Sequence, residues 1–462
     1  MHFHRPLLFR SSLRSIVILA AFTLAPMHAA NAEALLLLEA ESGKVLQAEN
    51  ATNPWYPASL TKMMTAYVTL KAVKEGRITM DTLFTVSPIA ASQSPSKMGF
   101  KPGTQVTVDN ALKMMLVKSA NDMAVVLAEG VGGSIDGFSA LMNENAQRLG
   151  MTQTNYVNPN GLPADGHITS ARDLAILARA IIHDLPEYEY FVHIPSIRYG
   201  RRITQNFNKL IGRYPGADGF KTGFICASGY NLVASATRNG KRLIAVVLGA
   251  SSGQARAVKA IQMLDRGFAN DTLSWLRPSL GTVDSLVPID ASPPNLRDEM
   301  CSGKRHRPAS DEDEDTTVAN GTSDGSGQAL AFFSTGQTPA LKPSELLAAA
   351  PAASEPIPVY TGPTRTGPAL IAAVAADSDE QATASRHGKK SRHAAKRPPE
   401  AGADDAGKEA KSKPVKNANA KPDAATKSAD KPASADKSDA KPAKPKAAAK
   451  PAKPAPKSDA NG

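Results

Sequence analysis

The stretch EALLLLEAESGKVLQAEN (Glu33 to Asn50) holds two short apolar runs around a Glu-Ser-Gly-Lys turn, which predicts a pair of strands. After Pro57 the period changes. In PASLTKMMTAYVTLKAVKEG, Leu60, Met63, Met64, Tyr67 and Leu70 recur every three or four positions, one stripe of a helix, and Gly76 marks its stop. Asp109 to Gly130 reads as two helices broken near KSAND, where Asn121 and Asp122 suit a cap. Ser170 to Leu185 is a further amphipathic helix, opened by a serine cap.

Strand character returns from Ala217 to Ala250, as two or three antiparallel strands. Within it RNGK is a tight turn, because Asn-Gly supplies the positive φ angles of a two-residue hairpin. GQARAVKAIQMLDRGFAN then closes the region as a helix. Strands, helices, strands, helix is the order of a sheet built from both ends of a domain, with a helical region inserted between them.

From about Thr272 the periodicity fades, and after Tyr360 no aromatic residue occurs. SDEDED is an acidic run and KPAKPKAAAKPAKPAPK is Lys/Ala/Pro low complexity. Such sequence buries too little apolar surface to offset backbone ordering, roughly 1–2 kcal/mol per residue. The expected organisation is a signal peptide over 1–32, a catalytic domain over 33–275, a low-complexity linker over 276–385 and a disordered basic tail over 386–462. The apolar islands ALAFF and ALIAAVAA are too brief to span a bilayer. The tail also accounts for the charge. From Arg386 to Gly462 there are 20 Lys and Arg against 9 Asp and Glu, an excess equal to the +11 of the whole chain. The folded part is therefore neutral, and the basic balance carries no implication of nucleic-acid binding. A polycationic tail suits anionic envelope polymers or lipid head groups; a soluble spacer is the plainer alternative.

The start reads as an export signal: Arg5, Arg10 and Arg14, then the short apolar core SIVILAAFTLA, then ANA as a small-x-small cleavage site. A periplasmic or envelope location follows, against an N-terminal membrane anchor as the alternative. Export implies an oxidising compartment. Only Cys226 and Cys301 follow the signal, enough for one bridge. Cys226 lies five residues beyond Lys221 and Cys301 just past the globular part. We expect a disulfide that fastens the root of the tail beside the strand of Lys221, with a buried free Cys226 as the alternative.

Ser59 lies at the predicted start of a helix, where backbone N–H groups lack intrahelical partners and can face a developing oxyanion. Lys62, three residues on, shares its face. A desolvated lysine beside other cations loses proton affinity and can strip a hydroxyl proton as histidine does elsewhere. Alone, that spacing occurs by chance. Two further stretches join it. SAN (Ser119 to Asn121) sits at the helix–helix break, and KTG (Lys221 to Gly223) sits on a predicted strand. The glycine there permits close backbone approach, and the lysine offers charge to an anionic group.

In this order the three stretches resemble the active-site set of penicillin-binding proteins and serine β-lactamases. YPASLTKMMTAY, FKPGTQVTV, SANDMAVVLAEG, NPNGLPADGHITSARDLA and DGFKTGFICASGYNLVASA narrow the resemblance to the D-alanyl-D-alanine carboxypeptidases, over roughly Glu33 to Asn270. The resemblance implies an α/β + α fold of the β-lactamase/transpeptidase type: an antiparallel sheet flanked by helices, with an inserted helical subdomain. It implies that Ser59 is the nucleophile, acylated by the penultimate D-alanine of a peptidoglycan stem peptide, and that Lys62 is its base. Ser119 would relay a proton to the departing D-alanine. Asn121 would bond the peptide; Lys221 and Thr222, beside Gly223, would hold the terminal carboxylate. The N–H groups of Ser59 and Phe224 would form the oxyanion hole. The KTG strand would take the substrate as an added edge strand. β-Lactams would be covalent inhibitors, and no cofactor or metal is implied.

Phe224 departs from the His or Tyr that often follows KTG in this family. A β-rich second domain and an amphipathic anchor helix, common in relatives, have no counterpart in the reading. A D,D-endopeptidase would use the same residues. A class A β-lactamase would need a glutamate in E-x-x-L-N after SAN, which the sequence lacks. A non-catalytic envelope-binding protein acting through its tail is the remaining alternative. GASSG (Gly249 to Gly253) fits a nucleophile elbow, but its only later histidines, His306, His387 and His393, lie in low-complexity sequence. His167, His183 and His193 are scattered, and Asp165 and Asp173 read as loop braces.

Overall fold

The computed structural model describes residues 1–2, 33–269, 278–302 and 341–378. All belong to one compact unit, Met1–Arg397. The expected export signal, apart from Met1 and His2, and the expected basic tail lie outside the described residues.

Strands β1 (Ala34–Glu39) and β2 (Val45–Glu49) form the expected hairpin. The Ser59 turn, Ala58–Leu60, is a single 3-10 turn that runs into helix α1 (Thr61–Lys74). A small ribbon of β3 (Leu83–Thr85) and β4 (Gln105–Thr107) brackets α2 (Pro88–Ser92). Helices α3 (Val108–Val117), α4 (Asn121–Gly132), α5 (Ile135–Arg148) and α6 (Ala171–Asp184) complete the helical part. A second ribbon, β5 (Ser196–Tyr199) and β6 (Arg202–Gln205), follows. Then come β7 (Ala217–Ile225), β8 (Gly229–Arg238), β9 (Lys241–Ala250) and helix α7 (Gly253–Phe268).

The main sheet is antiparallel, in the order β2-β1-β9-β8-β7. It is thus built from both ends of the domain, as the order of elements predicts. Both faces are covered. Leu36, Leu38, Ile244 and Val246 pack toward the helical region, while Leu35, Leu37, Ala245 and Val247 pack on the α7 side. That double burial explains why β1 reads ALLLLE rather than as an alternation. Among the described residues β7 is an edge, paired only with β8, and its open side borders the Ser59 turn.

Two local expectations need correction. The apolar stripe of α1 is real, but the helix is enclosed all round: Lys62, Thr65 and Thr69 are buried with it. Its polar residues find partners inside the protein, as where Thr65 Oγ1 donates to the carbonyl of Pro159 at 2.6 Å. Asn121 and Asp122 do not cap α4; Ala120 holds that place without a side-chain cap. Asp122 instead accepts the N–H groups of Met98 (3.1 Å) and Gly99 (2.9 Å), fixing the loop before β4, and Asn121 turns into the cleft described below. The turn at Asn239 and Gly240 has positive φ at both residues (50° and 74°), as its hairpin requires. Ser252 caps α7 by accepting the N–H of Ala255, so GASSG serves as a strand-to-helix turn.

The stretch expected to be a low-complexity linker contributes packed pieces. Val283 is fully buried, and helix α8 (Arg297–Cys301) is joined to the end of β7 by the Cys226–Cys301 disulfide, with a Cα–Cα distance of 5.7 Å. Helix α9 (Pro343–Ala348) lays Leu347 on the α7 side of the sheet. Strand β10 (Ile357–Val359) runs parallel to β5 and buries Val359. The last described helix, α10 (Gly367–Ser378), covers the island ALIAAVAA and buries Ala373. These pieces dock through a few apolar anchors each and through backbone pairing to strands already formed. Neither leaves a period in the sequence, so periodicity could not announce them.

Candidate active site

The tightest polar cluster forms around Lys62, whose side chain is fully buried. Its Nζ donates to Asn121 Oδ1 at 2.7 Å and to the carbonyl of Asn160 at 2.7 Å, and lies 2.9 Å from Ser59 Oγ. The two carbonyl oxygens can only accept, whereas the Ser59 hydroxyl can also donate. A neutral amine would keep both carbonyl bonds and turn its lone pair to the Ser59 proton. The cluster therefore fits either protonation state of the lysine without rearrangement, which is what a proton acceptor needs.

Three loops hold this cluster. The first is the turn before α1. Ala58 has φ +49°, a conformation uncommon for a residue with a Cβ. It is held there by Asn231, whose Nδ2 donates to the carbonyl of Tyr56 (3.1 Å) while its Oδ1 accepts the N–H of Gly249 (3.0 Å). The second is the loop of Asn158 to Leu162. Gly161 has φ +82°, and a Cβ there would lie 1.8 Å from the carbonyl oxygen of Ala58, so only glycine lets this loop close on the Ser59 turn. The third is the break between α3 and α4, where Ser119 also has positive φ (60°) and Asn121 Nδ2 donates to the carbonyl of Ser94 (2.9 Å).

β7 closes the other side. A Cβ on Gly223 would lie 2.9 Å from the backbone nitrogen of Ser59 and 3.1 Å from that of Leu60. The glycine of KTG is thus the point where strand and nucleophile turn meet, backbone to backbone. Strand alternation puts Lys221 on the face that Gly223 turns to Ser59. Lys221 is buried, and its Nζ donates to the carbonyl of Thr222 at 3.1 Å. Thr222 Oγ1 is buried with no hydrogen-bond partner among the described residues. Ser59, Ser119, Asn121, Asn160, Phe207 and Phe224 line the open cleft; Lys62, Lys221, Thr222 and Gly223 are buried and do not line it. Phe224 stacks on Tyr230, ring centroids 4.2 Å apart, and gives the cleft an apolar rim.

The structure thus brings the Ser59, Ser119–Asn121 and Lys221–Phe224 stretches to one cleft. Sequence reasoning missed Asn160, Asn231 and Gly161. NPNG is quoted above for resemblance only, and a backbone carbonyl as a lysine acceptor leaves no trace in residue identity. His167, set aside as scattered, is a brace. The N–H of Val157 donates to its Nδ1 (2.9 Å), so the proton sits on Nε2 and bonds Thr61 Oγ1 (2.8 Å). Burial pushes this imidazole down to about 4. Lys118, beside Ser119, is pushed down to about 8 by burial and, next, by the charge of Arg202. Asp173 is buried against Arg172 (2.7 Å) and accepts from Thr154 (2.8 Å), as a loop brace would.

A family model described as D-alanyl-D-alanine carboxypeptidase matches residues 21–252. The chain belongs to this family. It is 41% identical over 266 residues to the D-alanyl-D-alanine carboxypeptidase DacC of Escherichia coli, covering 56% of this chain and 66% of that one. It is 37% identical over 246 residues to DacF of Bacillus subtilis, covering 52% and 62%. The match therefore spans somewhat under two thirds of these relatives' own lengths. Among solved structures, penicillin binding protein 5 of Haemophilus influenzae superimposes with a TM-score of 0.50 at 38% identity, over 51% of this chain and 70% of that one. DacD of Francisella tularensis gives 0.50 at 31% identity, over 51% and 70%. The family fold is thus the expected one, an antiparallel sheet flanked by helices with a helical region inserted.

Proposed function

We propose that the protein is an exported serine D-Ala-D-Ala carboxypeptidase that trims the terminal D-alanine from peptidoglycan stem peptides. The observation that carries this reading is Lys62 Nζ at 2.9 Å from Ser59 Oγ, held by two carbonyl acceptors, with Gly223 of KTG against the Ser59 turn. Ser59 Oγ attacks the carbonyl of the penultimate D-alanine while Lys62 takes its proton. The N–H groups of Ser59 and Phe224 stabilise the oxyanion. Ser119 passes a proton to the departing amine, and Asn121 bonds the peptide. Lys221 and Thr222 hold the carboxylate. Water then releases the acyl group, with Lys62 again as base. β-Lactams acylate the same hydroxyl. A location in the periplasm or envelope follows from the export signal.

The β-lactamase and the non-catalytic readings are not favoured by the family match. An endopeptidase acting on cross-links would use the same groups, and a cross-linked dimer peptide serves as the control substrate. The test compares wild type with Ser59→Ala for D-alanine release from a pentapeptide and for labelling by a fluorescent penicillin. The expected result is loss of labelling and a fall in release of about 10⁴-fold or more. Equal signals from the two proteins would remove the nucleophile and the reading with it.

A further inference from the structure

The stretch expected to be a linker joins two walls of the Ser59 cleft from outside. One wall is the connection between β6 and β7, which carries Phe207; the other is the break after α3, which carries Ser119 and Asn121. Residues 347–362 are attached to both. At the first wall Ala352 N–H donates to the carbonyl of Gly212 at 2.6 Å, and Arg213 Nε donates to the carbonyl of Ala349 at 2.9 Å. Leu347, in α9, joins the apolar cluster that holds Leu210 and Tyr214 of the same connection. At the second wall Tyr360 N–H donates to Asn110 Oδ1, on the first turn of α3, at 3.3 Å. Gly362 N–H donates to the carbonyl of Gln105, in β4, at 2.7 Å. Between these points β10 lies parallel to β5, with Ile357 opposite Ile197 and Val359 opposite Tyr199.

Between its anchors the segment has the composition of a spacer that holds a length. Leu347, Val359 and Tyr360 are buried, whereas residues 351–355 are exposed. Pro351, Pro356 and Pro358 fix φ along this stretch and favour an extended, semi-rigid chain. Proline also suits β10 as an edge strand, having no N–H to leave unpaired on the open side. A stiff chain fastened at both ends resists opening and closing of the gap it spans; a flexible one resists only when taut. The attachments are to the walls and not to the groups bonded to Lys62, so the segment acts through the walls.

We propose that residues 347–362 form a strut that sets the separation of the Phe207 and Ser119 walls, and thereby positions Ser119 and Asn121 relative to Ser59. The strut is a positioning element and does not touch the reacting atoms. Attack and proton transfer require near-contact geometry, so a small misplacement of one wall costs rate before it costs binding. The proposal rests on the carboxypeptidase reading above, in which Ser119 passes a proton to the departing amine. None of the strut's residues falls within the part matched by the family model.

The test changes the length of the strut in the full-length protein. Two glycines inserted after Ser354, in the exposed stretch, lengthen and soften it while leaving both anchors in place. Val359→Ala weakens the β5 end, and Val359→Ile keeps it. In the insertion variant, the rate of labelling by a fluorescent penicillin and kcat for a D-Ala-D-Ala pentapeptide should each fall about tenfold, with KM within about twofold of wild type. Val359→Ala should show a smaller fall of the same kind, and Val359→Ile should match wild type. The end point of labelling, which counts competent sites, should stay at the wild-type level throughout. Unchanged rates in the insertion variant would overturn the strut. So would a lower end point with an unchanged rate per labelled site, the mark of a segment that only adds stability, or a rise in KM with kcat intact. If wild type releases D-alanine and Ser59→Ala does not, the carboxypeptidase reading survives any of those failures. No release by wild type would overturn both.

Discussion

The last residues of β7 are secured at two points, by different means. At Gly223 the strand presses backbone against the Ser59 turn, inside a shell of buried polar groups: Lys62, Asn121, Asn160, Asn231. At Ile225 and Cys226 it is tied to a distant segment by one covalent bond, and the charges nearby are exposed. The first point leaves little room for adjustment. Acyl transfer requires reacting atoms about 3–3.5 Å apart, and small misplacements cost orders of magnitude in rate. The second point is set by a covalent bond and lies outside the hydrogen-bonded shell of Lys62. Buried non-covalent contacts thus hold one point, and a covalent tether holds the other.

That contrast can be broken at several points. The largest effect is expected at the first point. Lys62→Met should lower acylation by a fluorescent penicillin by about 10³–10⁴-fold, the contribution of a positioned general base and of cluster geometry; a loss under tenfold would mean another group takes the Ser59 proton. At the second point the effect should appear in stability. Opening the Cys226–Cys301 bridge, which closes a separation of 75 residues, should cost roughly 4 kcal/mol in the loop-entropy model. Urea unfolding with and without reductant measures it, and a change below about 1 kcal/mol would show that the buried Leu296 and Met300 hold the segment unaided.

His167, bonded to Thr61 at the start of α1, should give a smaller, pH-dependent effect. Its folded value of about 4 is below the ordinary 6.5, so between these values the unfolded chain binds a proton that the folded chain does not. Its contribution is whole above about pH 6.5 and is lost as pH falls toward 4, up to about 3 kcal/mol. The unfolding free energy of wild type minus that of His167→Gln, followed over this window, should fall as the pH drops; a flat difference would contradict the buried neutral imidazole. The smallest effect is expected at Thr222. Thr222→Val removes a buried hydroxyl with no partner, so stability should hold or rise by up to about 1 kcal/mol while KM for the pentapeptide rises about tenfold. An unchanged KM would remove Thr222 from carboxylate binding.

Much of this was legible before any coordinates. The hairpin of β1 and β2, the helix after Ser59, the break at Ser119, the RNGK turn and the three motif stretches all carry local signals: period, turn chemistry, residue spacing. What escaped was non-local. Asn231 gives no hint that it grips the Tyr56 carbonyl, nor does Asn160 that its backbone holds a lysine. The 341–378 segment has a composition that argues against packing, yet it docks by adding a strand to β5 and burying a few residues.

The sequence by itself determined the elements, the covalent spacing of Ser59 and Lys62, and the family to which that spacing belongs, because each follows from interactions within a few residues. Only the tertiary structure decided that β7 would meet the Ser59 turn at Gly223, that Lys62 would be sealed from water, and that β10 would dock on β5. Those outcomes depend on burial and on contacts between residues far apart in the chain, where the free energy of desolvation outweighs any local preference.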